Sequence, residues 1–389
     1  MQKSTIHALI VAIFSLLIIL SPSQGFAQEV SFDSNGWQAQ LTGAFPVFMV
    51  GSNHQNYNTD NTNQFSTRIM SGFNPANLTF SITAPTQKGV TVSGIVQINT
   101  HLQGPGIQND GLFESRIAQI KISGDFGIIH AGKGFGIFNS TSIGDNGSGL
   151  GVGRFGGPDA ADATLGRIGT GYTYANFNPR VTYTTPEING FTIKAGLINP
   201  EKPNGSGNRS ADLQTATPRI EAQIHYSREY NSADIQLWSS GLYQNVNVIS
   251  QDFSYAFSGL ELGSKLKTGA LTLLGSYSRT NSIGADGLIG LNISGGTGLD
   301  QADVNASQWY LEGTYDFEDI LVGGSYGEGN QDSETTPVGA SPAIKNQLAM
   351  LFARMPVTDN LMLMIELQNF SSDAQADYQA MILGTQFSF

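Results

Sequence analysis

The chain has 389 residues, with 47 Gly, 22 Phe and 13 Tyr, and no Cys. Its 19 Lys and Arg stand against 31 Asp and Glu, a net charge of −12. The acid excess excludes a nucleic-acid partner, which needs a basic footprint, and the lack of Cys excludes a disulfide framework.

Lys3, the apolar run 8–20 and the small-x-small triplet Gly25-Phe26-Ala27 read as a secretory signal peptide over 1–27. The run is shorter than the ~20 apolar residues of a membrane helix. No second long apolar run follows, so 28–389 is expected to form one domain without a helical span.

The remaining chain alternates with period 2. Arg219, Glu221, Gln223 and His225 share one face, and Ile220, Ala222 and Ile224 the other. Such dyads predict sixteen strands near 36–50, 65–84, 90–101, 113–123, 127–138, 170–185, 191–199, 218–229, 233–246, 253–267, 271–281, 307–317, 320–328, 346–357, 361–371 and 377–389. Two are irregular. Asn74-Pro75 interrupts 65–84, which is one bent strand or a strand with a bulge. In 113–123, Glu114 and Arg116 take one face but Gln119 and Lys121 the other; a bulge or a subunit interface would account for that.

Tight connections, such as Gln87-Lys88-Gly89, Asn231-Ser232 and Glu318-Asp319, alternate with long polar stretches such as 53–63, 199–217, 282–306 and 329–345. One end thus carries short turns and the other long loops, the plan of an outer-membrane barrel with periplasmic turns. The last strand puts Met381, Leu383, Thr385, Phe387 and Phe389 on one face, closed by the terminal Phe. The fold class is therefore an all-β, transmembrane, antiparallel up-and-down β-barrel.

In this order of elements the chain resembles the trimeric general porins of Gram-negative bacteria. The resemblance is carried by 124–138, with its Gly132-Lys133 pair, by 180–191 and by 353–367. It places 139–169 as the family's third loop, which folds into the barrel and narrows it. Phe155-Gly156-Gly157-Pro158-Asp159 is similar to that loop's tip, whereas Thr182 and Thr184 stand where the family usually has Arg and Asp. Trimerisation, contact with outer-membrane lipid and lipopolysaccharide, and recognition of Phe387 and Phe389 by the β-barrel assembly machinery are what the resemblance implies.

A constriction sets size and charge preference by facing charges across a narrow gap. The candidates on the third loop are Asp145, Arg154, Asp159, Asp162 and Arg167. Those on the wall are Arg68, Lys133, Arg180 and Arg219. The loop acids and the overall charge imply a mild preference for cations. The glycine runs 132–136 and 147–157 lack a Walker pattern and a following helix, so they read as close packing rather than phosphate binding. The scattered His residues offer no metal cluster and no nucleophile elbow precedes a helix, so neither a cofactor nor an enzyme is expected. The sequence thus points to passive diffusion of small hydrophilic solutes. A substrate-selective channel and, further off, an outer-membrane enzyme or adhesin remain as alternatives.

Overall fold

The computed structural model describes residues 30–57, 60, 62–100, 102, 113–158, 163–200, 213–249, 252–287, 301–336 and 339–389. The expected leader 1–27 lies outside the described residues, as do Asp159 and Asp162. The barrel strands are β1 (Trp37–His54), β2 (Gln64–Met70 resuming as Ala76–Thr83), β3 (Thr91–Thr100), β4 (Phe113–Gly124), β5 (Gly127–Phe135), β6 (Phe177–Thr184), β7 (Phe191–Ile198) and β8 (Arg219–Tyr230). They continue as β9 (Ala233–Val248), β10 (Phe253–Thr268), β11 (Leu271–Asn281), β12 (Asn305–Phe317), β13 (Ile320–Gln331), β14 (Ile344–Thr358), β15 (Leu361–Ser372) and β16 (Tyr378–Ser388).

Each strand pairs antiparallel with the next, and β16 closes the ring on β1 from Ala44↔Ser388 to His54↔Tyr378. The result is a closed sixteen-stranded barrel. Closure removes the unpaired edges that would be intolerable in lipid. No helix among the described residues is long and apolar enough to cross a membrane.

Alternation decides which side each residue faces. On β8, Ile220 and Ile224 are more than half exposed on the outer face, while Arg219 and Glu221 are buried inside. Short turns gather at one end, with Lys88, Asn189, Asn231 and Glu318 in the left-handed region that tight hairpins demand. Exposed aromatics ring that end, among them Tyr183, Phe191, Tyr315, Phe317 and Phe387, as an interfacial girdle does. Beyond it, Val30–Ser34 pairs with Trp37–Leu41 and continues the ladder past the end of β16.

Both irregular strands have a structural reason. β2 is one bent strand, since both its pieces pair with β1. It breaks where the third loop sits down on the wall: Phe73 N–H donates to the Gly151 carbonyl at 2.9 Å, and Thr164 N–H to that of Gly72 at 3.1 Å. β4 carries a bulge. Ser115 pairs with Ile98 and Ile117 with Gln97, leaving Arg116 as the extra residue. That one residue returns Glu114, Gln119 and Lys121 to the same inner face. One boundary differs from expectation: β6 begins at Phe177, not at 170. Tyr172, Tyr174 and Ala175 are buried in the third loop, and Asn176 takes a φ of 57° where the chain turns into the strand.

Candidate functional site

The described parts of the third loop, residues 136–158 and 163–176, lie inside the barrel. Its backbone amides are held by carboxylates of the wall. Glu221 on β8 accepts the N–H groups of Ile137 (2.5 Å) and Phe138 (3.1 Å). Glu261 on β10 accepts Asn139 N–H at 3.2 Å and the Ser142 hydroxyl. Glu312 on β12 accepts Asn146 N–H at 2.8 Å and Gly147 N–H at 3.0 Å. Glu366 on β15 accepts Val152 N–H at 3.3 Å.

All four acids are nearly or fully buried. Each charge-assisted bond of this kind contributes roughly 1.5–3 kcal/mol. The sequence signal was a Glu on the polar row of a strand, at 221, 312 and 366. The sequence reading instead sought acids on the loop and bases on the wall.

The glycine-rich stretch answers to these anchors. A Cβ on Gly151 would stand 1.7 Å from Glu366 Oε1 and 2.7 Å from Arg354 Nη2. A Cβ on Gly147 would stand 2.9 Å from the Phe352 ring. Only glycine lets the backbone come so near the wall.

The described charges of the loop are all engaged, Asp145 within the loop and the two arginines also with the wall and a neighbouring connection. Asp145 is 2% exposed and accepts Ser148 N–H at 2.6 Å and the Tyr172 hydroxyl at 3.2 Å. Burial, reinforced by the nearby Asp145 carboxylate, holds the Tyr172 phenol well above its ordinary range, so it remains a neutral donor. Arg154 donates to Asp286 Oδ1 at 2.6 Å and to the Ile168 carbonyl at 3.1 Å. Arg167 donates to the Leu348 carbonyl at 3.3 Å and to the Ser325 hydroxyl, and stacks over Tyr310. Asp286 belongs to the β11–β12 connection, whose 282–287 stretch also packs inward: Tyr174 N–H donates to the Gly287 carbonyl at 2.8 Å.

The wall candidates separate. Arg68 shares the inner row of β2 with Ser66 and Met70. Arg180 and Arg219 are buried on the inner face, Arg219 Nε lying 2.7 Å from Glu221 Oε1. Lys133 lies in register with Ala118 and Pro179, both exposed on the outer row, and its ammonium donates to the Ser115 carbonyl at 2.6 Å. Its side chain is therefore on the outer face, not the lumen wall. The parity that puts Arg180 inside puts Lys133 out.

Open space remains between the loop and the wall of β1–β6. One cavity of 330 Å³ is bounded by Gln97, Glu114, Arg116 and Phe177 on the wall side and by Ile143 and Leu165 on the loop side. A second of 250 Å³ shares Asn74, Gln97, Arg116 and Phe177 with it and reaches Gln386. Arg116 is held there by Glu114 at 3.1 Å and lies over the Phe177 ring.

Three comparisons bear on this architecture. A family model described as Gram-negative porin matches residues 27–375. No curated protein sequence matches the chain. Among solved structures, the outer membrane channel DcaP of Acinetobacter baumannii superposes with a TM-score of 0.66 at 14% identity, over 92% of this chain and 100% of that one. The anion-selective porin from Comamonas acidovorans gives 0.62 at 14%, over 91% and 100%. Salmonella typhi OmpF in complex with daunomycin gives 0.59 at 14%, over 92% and 100%. At such identities the structures speak for the fold, and the family match speaks for descent. A closed sixteen-stranded barrel with a loop fastened inside it, matched over nearly its whole length, is an outer-membrane channel, and the chain belongs to the Gram-negative porin family.

Proposed function

We propose that the protein is a passive diffusion channel for small hydrophilic solutes, working as a homotrimer after export by its signal peptide. The observation that carries the diffusion reading is the third loop fastened across the lumen by Glu221, Glu261, Glu312 and Glu366, with cavities left between it and the β1–β6 wall. A sixteen-stranded barrel is wide enough for an aqueous path unless something fills it. The loop narrows that path. Trimerisation is supported by the resemblance to trimeric porins and by a solved neighbour from Vibrio cholerae titled in its trimer form.

A preference for cations draws no support from the described loop acid, since Asp145 is turned into the loop. It would have to rest on Asp159 and Asp162, which lie outside the described residues. Phe387 and Phe389 are proposed as the assembly signal. They share the outer face with Phe45, with ring centroids 6.3 Å from it.

Shortening the loop across 147–163 is expected to raise single-channel conductance and to admit larger sugars in liposome swelling. An unchanged size limit in the shortened protein would sink the assignment of this loop as the size filter.

A further inference from the structure

Four large apolar side chains border the 330 Å³ cavity: Phe135 and Phe177 where the chain leaves and rejoins the wall, and Ile143 and Leu165 on the third loop. Each is only partly buried, and each packs against a buried cluster that includes Phe73, Ile168 and Tyr172. The rings of Phe135 and Phe177 lie 4.9 Å apart. A core behind this face thus fixes it in place. The interior of such a barrel is ordinarily polar, and an apolar face left open to water marks a binding surface. Among the described residues, no charged side chain of the loop borders the cavity.

The opposite side is polar, and its charges cancel. Arg116 is held by Glu114 at 3.1 Å and lies 5.5 Å over the Phe177 ring. Asn74 donates through Nδ2 to the Gly149 carbonyl at 2.7 Å, and Gln97 through Nε2 to the Thr79 hydroxyl at 3.0 Å. Both amides thus keep their carbonyl oxygens for a solute, and such acceptors suit hydroxyl groups, not carboxylates. The cavity also lies on a route through the barrel. Leu165 borders both it and a space of 790 Å³ at the long-loop end, which Tyr57 and Asp377 also line. Phe177 borders both it and the 250 Å³ cavity that reaches Gln386. A solute taking this side of the barrel passes Leu165 and then Phe177.

We propose that this cavity is a selectivity site for small neutral solutes with a flat aromatic ring on one side and hydroxyl groups on the other, the chemistry of an aryl glycoside. Leu165 is the residue that sets the preference. The site rests on the reading of the chain as a diffusion channel, and it names which solutes that channel favours. The ring lies against Ile143, Leu165 and the two phenylalanines, which releases water from both apolar faces. The hydroxyls donate to Asn74 and Gln97. A solute hydroxylated all round presses polar groups against the apolar face, where they find no partner. An anion gains little, because Glu114 already answers Arg116.

The test uses the purified full-length protein in planar bilayers, with phenyl β-glucoside and cellobiose as probes; in the second, another sugar replaces the phenyl ring. At equal millimolar concentration, phenyl glucoside should block the wild-type ion current about fivefold more strongly than cellobiose, the scale of a modest apolar burial. Leu165→Asn should erase that difference, whereas Leu165→Met, which stays apolar, should keep it. Equal block of the wild type by the two probes, or a Leu165→Asn variant that retains the preference, would overturn the site. Stronger block by sodium benzoate than by phenyl glucoside would overturn the neutral-solute assignment. If Leu165→Asn does not assemble, the wild-type comparison decides the matter alone. No conductance at all from correctly folded wild type would instead bring down the channel reading, and the site with it.

Discussion

Arg154 and Asp286 meet at 2.6 Å, Nη2 to Oδ1, and so join two connections whose residues lie 132 positions apart in the chain. The arginine is 1% exposed and the aspartate 20%. Asp286 also accepts from Asn346 Nδ2 at 3.3 Å. One carboxylate thus links the third loop, the β11–β12 connection and β14. Asp286→Asn should loosen this link and cost about 1–3 kcal/mol, the range for a charged hydrogen bond at a partly open site. The expected reading is more frequent subconductance steps in single-channel records. A trace as quiet as the wild type would show that the link does not steady the loop.

Removing one wall anchor should be more severe. Glu366 is fully buried between Arg354, at 2.8 Å, and Val152 N–H. Glu366→Gln leaves Arg354 without its countercharge, and breaking one side of a buried pair costs about 3–5 kcal/mol. The barrel wall should survive, since its ladder bonds are untouched. Protease should reach the third loop faster in the variant while the strands stay protected. Equal protection of loop and strands would argue against the anchor.

Gly151→Ala tests the same contact from the loop side. The new Cβ would fall 1.7 Å from Glu366 Oε1, so the backbone must retreat from the wall. The expected outcome is a larger mean conductance than wild type with an unaltered heat-modifiable band. Gly144→Ala is the control, because nothing lies near its Cβ position. Identical conductance in both variants would refute the close-approach argument.

Deleting Phe389 should reduce the folded, heat-modifiable form recovered from the outer membrane. The residue closes the ring by a pair of backbone bonds with Gly43, at 2.8 and 3.0 Å. Its ring also lies 3.0 Å from the Cβ position of Gly43. Gly43→Val should therefore mimic part of the deletion by pushing the ring away. Full recovery of the deletion at high expression would remove Phe389 from the assembly signal.

Much of this architecture is legible in the residues. Sixteen strands, their order, the side of the tight turns and the break at Asn74-Pro75 follow from period 2 and from turn chemistry. The parity conflict around Glu114 and Arg116 marks the bulge in β4. The anchoring of the loop is less legible, because half of each contact is a backbone N–H that every residue carries. A search among side chains pairs Asp159 with wall arginines and passes over Glu221, Glu261, Glu312 and Glu366. The inward turn of 282–287 has no side-chain signature at all; Asp286 looks like any loop acid until Arg154 is seen against it. Lys133 fails for a different reason. A basic residue after a glycine looks like a wall charge, but the register opposite Pro179 turns it outward.

The anchors also bear on the order in which the molecule comes together. Glu221 follows Ile137 by 84 residues, and Glu366 follows Val152 by 214. The amides of the third loop are thus made long before their acceptors. In a half-inserted chain they have only water to bond, and the entropy of closing such long segments opposes early docking. Only when β15 stands in the wall between β14 and β16 are all four carboxylates in place. Seating of the loop then becomes a late, cooperative event, and a chain whose ring has not shut announces itself by a loop still open to protease.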